Sequence, residues 1–366
     1  MPTNRSLTLR GLQVRGVNVP MRRPLATGAG ALDTAPLVLV DLATQEGVTG
    51  SSYIFCYTPV ALAPMTHLIS GLEAFIAGDA VAPFAIEQKL QRRFRLVGTH
   101  GFIAMAMAAI DMAAWDALAR AADLPLVRLL GGEPRPIPVY NSCGLGLIGS
   151  RAAAAEATEL VDGGRFRAIK VRLGYPDVQT DLEVVRSVRR AVGSDVVVMS
   201  DYNQSLSVNE AIQRARVLDG GHLAWIEEPT LADDYVGHAR ISREAATPIQ
   251  LGENWWGPRE MAESLSAMAS DCVMPDACRI GGVSGWLRAA ALAESAGLAM
   301  SCHLFPEVSA HLLAVTPTGD WLEYVDWASP TLARPLEVHD GHALPSEEPG
   351  LGPGWDEEAV RRYRVV

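Results

Sequence analysis

Residues 166–203 read FRAIKVRLGYPDVQTDLEVVRSVRRAVGSDVVVMSDYN. A short apolar run, RAIKVR (167–172), precedes QTDLEVVRSVRRAV (179–192), in which apolar residues recur at helical spacing, and VVVMSD (196–201) follows. Apolar residues in this order predict strand, helix and strand. A helix of this length is enough for a right-handed crossover between parallel neighbours, so the stretch predicts a βαβ unit.

The same alternation continues to residue 325. With the two runs above, the predicted strands are IPVYNS (137–142), HLAWIEE (222–228), PIQLGE (248–253), CVMPD (272–276), LAMSCH (298–303) and WLEYV (321–325). Amphipathic stretches between most of them are long enough for helical crossovers. Eight such units predict an α/β fold, a modified (β/α)₈ TIM-like barrel.

The chain before residue 130 has a different pattern. Residues 6–20 and 36–56 alternate or are β-branched, and residues 60–122 have apolar residues at helical spacing. Gly and Pro punctuate LGGEPRPIPVY (130–140), which marks a boundary. The predicted regions are an α+β capping domain (1–130), the barrel with the active site (131–326) and a C-terminal segment (327–366) that packs back on the capping domain.

The composition excludes several classes of protein. Of 366 residues, 49% are hydrophobic and 20% charged, as in a folded domain rather than a disordered chain. A net charge of −11 argues against nucleic acid or an anionic membrane as a partner. No run of about 18 consecutive apolar residues is present, so we expect no membrane span.

The cysteines and the N-terminus indicate the compartment. Five cysteines form an odd set without CxxC pairs, which favours reduced thiols over disulfides or a zinc site. The N-terminus alternates polar and apolar residues and lacks the apolar core of a secretory signal. We expect a cytoplasmic protein.

Polar residues stand where the predicted barrel strands end, which is where (β/α)₈ proteins place their chemistry. They are Lys170, Arg172, Asp201, Glu227, Glu253, Asp276, His303 and Glu323. Lys170 and Arg172 share one strand, and from Lys170 to Asp201 and on to Glu323 each step is 20 to 31 residues, about one βα unit. The side chains are therefore expected to converge on one mouth.

Asp201, Glu227 and Glu253 come from consecutive strands. Hard oxygen ligands without cysteine favour Mg²⁺. A single acidic residue at a strand end is as often a helix cap or a member of an ion pair as a metal ligand. Three acidic residues at the ends of consecutive strands favour a metal site. Glu228 should point to the opposite face of its strand and is interpreted as structural.

Five further strand-end residues have catalytic interpretations. Lys170 and Arg172 share a face, and a lysine near Mg²⁺ can stabilise a developing oxyanion; a structural salt bridge is the alternative. Asp276 can fix the tautomer of His303 and make it a general base, whereas a lone histidine is more often structural. Glu323 could donate a hydrogen bond to an enolate oxygen if protonated, or be a buried ion pair.

Taken together these residues resemble the enolase superfamily, and within it the mandelate racemase subgroup. The resemblance covers nearly the whole chain and runs through IKVRLGYP (169–176), SDYNQSL (200–206), WIEEPT (225–230), GENWWGP (252–258), MPDACRIGGVSGW (274–286), SCHLFPEVSAHLL (301–313) and WLEYVD (321–326). It implies a capping domain, a modified barrel, Mg²⁺ as cofactor and an enolate intermediate. It also implies a small carboxylate substrate and a homo-oligomer.

The resemblance also assigns roles to residues. Asp201, Glu227 and Glu253 would be metal ligands, Lys170 would neutralise the substrate carboxylate, Glu323 would be the electrophilic acid and His303 with Asp276 the base for one enantiomer. Positions that match the substrate pocket are Ser142, Asn203, Leu25, Ala29, Leu32, Phe55, Tyr57, Leu96, Leu304 and Val325.

One position departs from the racemase pattern Lys-X-Lys, whose second lysine is the base for the opposite enantiomer. Arg172 stands there, and a guanidinium is effectively always protonated. The hypotheses are racemisation of mandelate or a similar aryl or apolar 2-hydroxy acid, one-base dehydration of a sugar acid by His303 and Asp276, and a non-enzymatic binding protein. We expect the first, because most of the matched pocket positions are apolar.

Overall fold

A computed structural model describes residues 6–28 and 30–366. The N-terminal sheet is antiparallel, with strand order β1 (Leu9–Thr27), β2 (Gly30–Thr44) and β3 (Thr49–Phe55). The β1–β2 hairpin pairs as far as Thr27 and Gly30, with a register shift between Pro20 and Leu25. It is longer than the predicted strands, and its tip reaches the mouth of the barrel, where Leu25 and Leu32 border the cavity described below.

The α-helices that follow in this domain are α1 (Leu62–Ile76), α2 (Pro83–Arg93), α3 (Phe102–Ala121) and α4 (Leu126–Leu129). α1 and α3 pack on the sheet, and α2 and α4 pack on α3. α3 lies close to β3 because Gly50 has no side chain. A Cβ at Gly50 would lie 2.0 Å from the carbonyl oxygen of Ala113 and 2.8 Å from the Cβ of Ala117. Alanines on α3 permit the same close approach, so the Ala-rich stretch is the core helix of the capping domain.

The barrel follows with parallel strands β4 (Ile137–Asn141), β5 (Ala168–Arg172), β6 (Val197–Asp201), β7 (Ile226–Glu227), β8 (Ile249–Leu251), β9 (Cys272–Val273) and β10 (Leu322–Tyr324). Its helices are α5 (Ser150–Val161), α6 (Val178–Val192), α7 (Val208–Leu218), α8 (Tyr235–Glu244), α9 (Pro258–Ser266), α10 (Gly282–Ala296) and α11 (Pro306–Ala314). β10 pairs with β4 and brings the two ends of the sheet together.

The predicted strand LAMSCH (298–303) is not a regular strand. Met300 bridges Val273 and Gly319, and His303 bridges Asp276. Main-chain hydrogen bonds nevertheless run to both neighbouring strands, including Ser301 N–H to Val273 O at 2.8 Å. The segment therefore completes the barrel and presents His303 at its mouth.

The C-terminal segment contacts both domains. Its hairpin, β11 (Val338–His339) and β12 (His342–Ala343), pairs with β4, which is an addition to the barrel that the sequence did not indicate. α12 (Glu357–Tyr363) packs on β1, where Arg15 donates to Glu357 at 2.8 Å. The predicted packing on the capping domain is thus one part of what the segment does.

Two helical stretches have the length and composition of membrane spans, Pro59–Ile76 and α3. The expectation of no span considered only uninterrupted apolar runs and missed them. The most apolar window of α3 is 67% buried inside the fold, and that of Pro59–Ile76 is 39% buried. Core helices of soluble proteins pass the same test of length and composition, so the two stretches are weak evidence for a membrane protein.

Candidate active site

Three carboxylates meet at the carboxyl ends of neighbouring strands. Asp201 ends β6, Glu227 ends β7 and Glu253 lies two residues beyond β8. Asp201 and Glu227 are partners in the parallel ladder, which places both at the same level of the mouth. All three are buried, and one oxygen atom from each lies within 4.8 Å of the others. The structure therefore brings the predicted metal ligands together.

The electrostatics of this cluster fit a divalent cation. Burial raises the pKa of both Asp201 and Glu227; Lys170 opposes that rise, and neighbouring carboxylates add to it. The cluster thus holds more negative charge than its nearby ammonium balances. Three oxygen ligands without sulfur are the donor set that Mg²⁺ prefers.

Lys170 and Glu323 form the centre of the barrel mouth. The Lys170 ammonium lies 2.7 Å from Glu227 Oε1, 2.8 Å from Glu323 Oε1 and 3.5 Å from Asp201 Oδ2. Burial lowers the pKa of Lys170, but the carboxylates outweigh it and the net pKa is raised.

Glu323 is stabilised as a carboxylate. Burial raises its pKa, but Lys170 and His303 outweigh burial and hold the net pKa well below its usual value. Its Oε2 also accepts the main-chain N–H of Leu304 at 2.9 Å. These contacts stabilise the carboxylate form of Glu323, and its role as a protonated donor to an enolate oxygen stays a prediction.

His303 and Asp276 form a dyad. His303 Nδ1 lies 2.7 Å from Asp276 Oδ2, and Asp276 Oδ1 accepts the main-chain N–H of Cys278 at 2.7 Å. A proton on Nδ1 leaves Nε2 to take a proton from substrate. Burial lowers the pKa of His303, but Glu253, whose Oε2 lies 3.2 Å from Nε2, and Asp276 raise it to a net value of about 9.

Arg172 is held by the loop that follows β4. Its Nη1 donates to the carbonyl oxygens of Ser142 at 2.8 Å and Gly144 at 3.0 Å, and its Nη2 donates to the Ser142 hydroxyl at 2.7 Å. Its Nε lies 4.0 Å from Asp201 Oδ2 and has no hydrogen-bond partner among the described residues. Three acceptors around two of its nitrogens stabilise the charged guanidinium.

A cavity of about 500 Å³ opens above these residues, between the β1–β2 hairpin and the barrel. Lys170, Arg172, Asp201, Glu253, His303 and Glu323 border it. Of the predicted pocket residues, Leu25, Leu32, Phe55, Tyr57, Asn203 and Leu304 also border it. One wall is therefore apolar, while Asn203 extends the polar floor and donates to Asp201 Oδ2 at 2.9 Å.

Three other predicted pocket residues do not border the cavity. Leu96 lies in the loop between α2 and α3 with its side chain fully exposed. Val325 follows β10 and packs into the hydrophobic core instead of bordering the cavity. Ser142 is buried beneath the site, where it holds Arg172. Ala29 lies outside the described residues.

Sequence reasoning missed several cavity residues, notably Gln204, Asn254, Arg279 and Trp327. Arg279 stands three residues after Asp276, and Asn254 directly follows Glu253, so adjacency to strand-end residues was a signal. Glu228, interpreted as structural, accepts a hydrogen bond from the Asn254 amide nitrogen at 2.7 Å and so supports the residue next to the predicted metal ligand Glu253.

Two protein-family models match the sequence of this chain. The model of the mandelate racemase / muconate lactonizing enzyme N-terminal domain matches residues 10–131, and that of the enolase C-terminal domain-like family matches residues 152–359. The chain belongs to the enolase superfamily. The mandelate racemase subgroup expected from the sequence is confirmed, as is the fold of capping domain and (β/α)₈ barrel.

Solved and curated members of the superfamily differ in their chemistry. An enolase from Bradyrhizobium, complexed with magnesium and mandelic acid, is 42% identical over the full length of both chains, with a TM-score of 0.95. L-talarate/galactarate dehydratase from Salmonella typhimurium is 31% identical over 90% of this chain and 83% of that protein. 3,6-Anhydro-alpha-L-galactonate cycloisomerase from Streptomyces coelicolor is 32% identical over 92% and 93%.

These findings establish the general chemistry of the site. Mg²⁺ is its cofactor, and the carboxylate cluster built by Asp201, Glu227 and Glu253 fits it. The chain is an enolase-superfamily enzyme of Mg²⁺-dependent enolate chemistry. The relatives include dehydratases and cycloisomerases, so the outcome of the reaction depends on the residues around the metal.

Proposed function

We propose that this enzyme is a one-base dehydratase that acts on a polyhydroxy 2-hydroxy carboxylate, an acid of the sugar-acid class. The observation that carries the proposal is the set of three hydrogen bonds that Arg172 donates to Ser142 and Gly144. A guanidinium stabilised in its charged form is poorly suited to accept a proton, so the face opposite His303 lacks an effective base.

His303 then performs both proton transfers. Its Nε2 removes the α-proton, and the electron pair left on the α-carbon becomes part of the enolate. As the enolate collapses, the β-carbon–oxygen bond breaks and the imidazolium returns its proton to the leaving hydroxyl, which departs as water. The resulting enol tautomerises to a 2-keto-3-deoxy acid. Asp276 keeps the ring oriented throughout.

The other residues of the site stabilise the negative charges of the substrate carboxylate and of the enolate. Lys170 places its ammonium beside the position of the substrate carboxylate, and the charged guanidinium of Arg172, which borders the cavity, adds a second positive charge there. Mg²⁺, when bound by the three carboxylates, supplies positive charge that offsets them and stabilises the enolate. Asn203 and Gln204 offer polar partners for further hydroxyl groups.

A second candidate is racemisation of an aryl or apolar 2-hydroxy acid, as the sequence led us to expect. The apolar wall of Leu25, Leu32, Phe55, Leu304 and Trp327 favours it, since a polyol would leave hydroxyls without partners there. The similarity to an enolase complexed with mandelic acid supports it as well. It requires Arg172 to act as a base.

One experiment separates the two. The enzyme with Mg²⁺ in D₂O is offered a panel of aldonates and aldarates and both enantiomers of mandelate, with keto-acid formation followed by semicarbazone absorbance and α-deuteration by ¹H NMR. We expect a keto acid from at least one sugar acid, and inversion of neither mandelate enantiomer. Inversion of mandelate in both directions without any keto acid would overturn the proposal.

A further inference from the structure

Arg279 connects the capping domain to the metal site. It is 8% exposed, and its guanidinium lies 4.4 Å from the ring centroid of Tyr57, on the capping domain, and 5.5 Å from that of Trp256, on the barrel. Tyr57 adopts a left-handed φ of 60°, which is uncommon for a tyrosine and turns the chain directly after Phe55. The cation is thus stacked against side chains from both domains.

The same guanidinium fixes the orientation of Asn254. Arg279 Nη1 donates to Asn254 Oδ1 and to the carbonyl oxygen of Glu253, the latter at 3.2 Å. Because a guanidinium has only donors, Asn254 must turn its oxygen toward Arg279 and its amide nitrogen away. That nitrogen lies 3.0 Å from Glu253 Oε1 and 2.7 Å from Glu228 Oε2.

These contacts run from Arg279 through Asn254 to Glu253, and we call this chain of contacts the relay. Its carboxylate is a metal ligand and also lies 3.2 Å from His303 Nε2, so a small rotation would disturb both the metal and the base. Partners outside the ligand set commonly fix the orientation of metal ligands. In this site the polar partner of Glu253 Oε1 is Asn254, and Arg279 dictates how Asn254 is turned.

We propose that Arg279 is a positioning residue that acts through Asn254 on the metal ligand Glu253, and that the contact of Tyr57 with Arg279 couples the capping domain to that ligand. The proposal concerns Mg²⁺ binding, whose role is common to both candidate reactions. It is therefore independent of whether the enzyme dehydrates or racemises its substrate.

The direct test is metal affinity, measured with Mn²⁺ as an EPR-visible probe of the purified full-length protein. We expect Arg279→Met to weaken Mn²⁺ binding roughly 10- to 100-fold. Arg279→Lys should lose most of the same affinity, because an ammonium cannot both stack between two rings and present a planar pair of donors. Arg135→Met is the matched control, since Arg135 also donates to main-chain carbonyls, at Leu313 and Ala314, away from the site.

Wild-type affinity in Arg279→Met would overturn the proposal, and so would wild-type affinity in Arg279→Lys, which would show that charge alone suffices. If Arg279→Met fails to fold, Asn254→Leu tests the same relay. It should weaken Mn²⁺ binding to a similar extent, and unchanged affinity there would contradict the relay equally.

Coupling to the capping domain is tested with Tyr57. Tyr57→Leu removes the ring and should bind Mn²⁺ more weakly than the wild type. Tyr57→Phe keeps the ring and loses only the hydroxyl, which lies 3.5 Å from Asp276 Oδ2, so it should bind Mn²⁺ more tightly than Tyr57→Leu. The double variant Tyr57→Leu/Arg279→Met should be no weaker than Arg279→Met alone, because both changes act on one relay. Losses that multiply in the double variant would show independent effects and refute the coupling.

Discussion

Ser142 accepts hydrogen bonds from Arg172 through two of its atoms, the carbonyl oxygen at 2.8 Å and the hydroxyl oxygen at 2.7 Å. The loop after β4 is thereby built around a cation at the position where a two-base racemase of this subgroup has a lysine. We expect the pair of residues, rather than Arg172 alone, to determine whether the face of the substrate opposite His303 can be protonated.

Arg172→Lys should add a base on the face opposite His303. A lysine cannot reproduce the two-nitrogen contact with Ser142, so its amine is freer to lose a proton. We expect this variant to exchange the α-proton of the second mandelate enantiomer at a rate roughly 10²-fold or more above the wild type. ¹H NMR in D₂O measures both enantiomers.

Arg172→Met is the matched control, because it removes the same hydrogen bonds without supplying an amine. It should exchange the second enantiomer no faster than the wild type. Equal exchange rates of the second enantiomer in the lysine and methionine variants would contradict the proposal that Arg172 leaves this face of the substrate without a base.

His303→Asn should abolish α-proton exchange at either enantiomer and lower kcat/KM for the true substrate by roughly 10³-fold. Asp276→Asn should cause a smaller loss, because the imidazole remains but its orientation is no longer held by a carboxylate. His339→Asn, at an exposed histidine of β11, is the control and should match the wild type. Retention of substantial exchange in His303→Asn would assign the base to another residue.

Residues at strand ends could be predicted because a closed parallel barrel leaves little freedom there. Asp201 and Glu227 are ladder partners, so once the strands were aligned their side chains had to meet. His303 was predictable for the same reason, although its segment forms single bridges rather than a regular strand. Where the main chain fixes the positions of side chains, as at these strand ends, the spacing of residues along the sequence predicts which side chains meet.

Contacts set by side-chain conformation could not be predicted in this way. The relay from Arg279 through Asn254 depends on rotamers and on which amide atom faces which partner, which spacing does not encode. Leu96 matched a pocket position but lies on an exposed loop, since loop paths depend on tertiary contacts. The tip of the β1–β2 hairpin borders the cavity because β1 continues well beyond the predicted strand.

Removal of the metal should lower thermal stability. Binding of Mg²⁺ to the folded state alone stabilises it by about 2.7 kcal/mol when free Mg²⁺ is a hundredfold above Kd. We expect Tm to rise on addition of Mg²⁺ to chelator-treated protein, and Glu253→Gln to lose most of that rise, as followed by calorimetry. Glu263→Gln, at an exposed carboxylate of α9, should keep it, and a full Mg²⁺ response in Glu253→Gln would remove Glu253 from the ligand set.

The buried His311 should make the fold sensitive to mild acid. Its Nδ1 accepts the main-chain N–H of Val127 at 3.2 Å, and its Nε2 donates to the carbonyl oxygen of Leu351 at 3.3 Å, so it joins α11 to α4 and to the C-terminal segment as a neutral ring. Burial lowers its pKa from 6.5 to about 4. Below pH 6.5 the unfolded chain binds a proton that the folded chain does not, so stability is lost as pH falls from about 6.5 toward 4.

The loss from this one group between pH 7.5 and 5 is about 2 kcal/mol in the free energy of unfolding. His311→Gln isolates it, because glutamine can accept from Val127 and donate to Leu351 but does not titrate. Urea unfolding at both pH values should show a smaller acid-induced loss in the variant by about that amount, since all other titrating groups are common to both proteins. Identical pH dependence of the two proteins would mean that His311 binds its proton as readily in the folded state as in the unfolded chain.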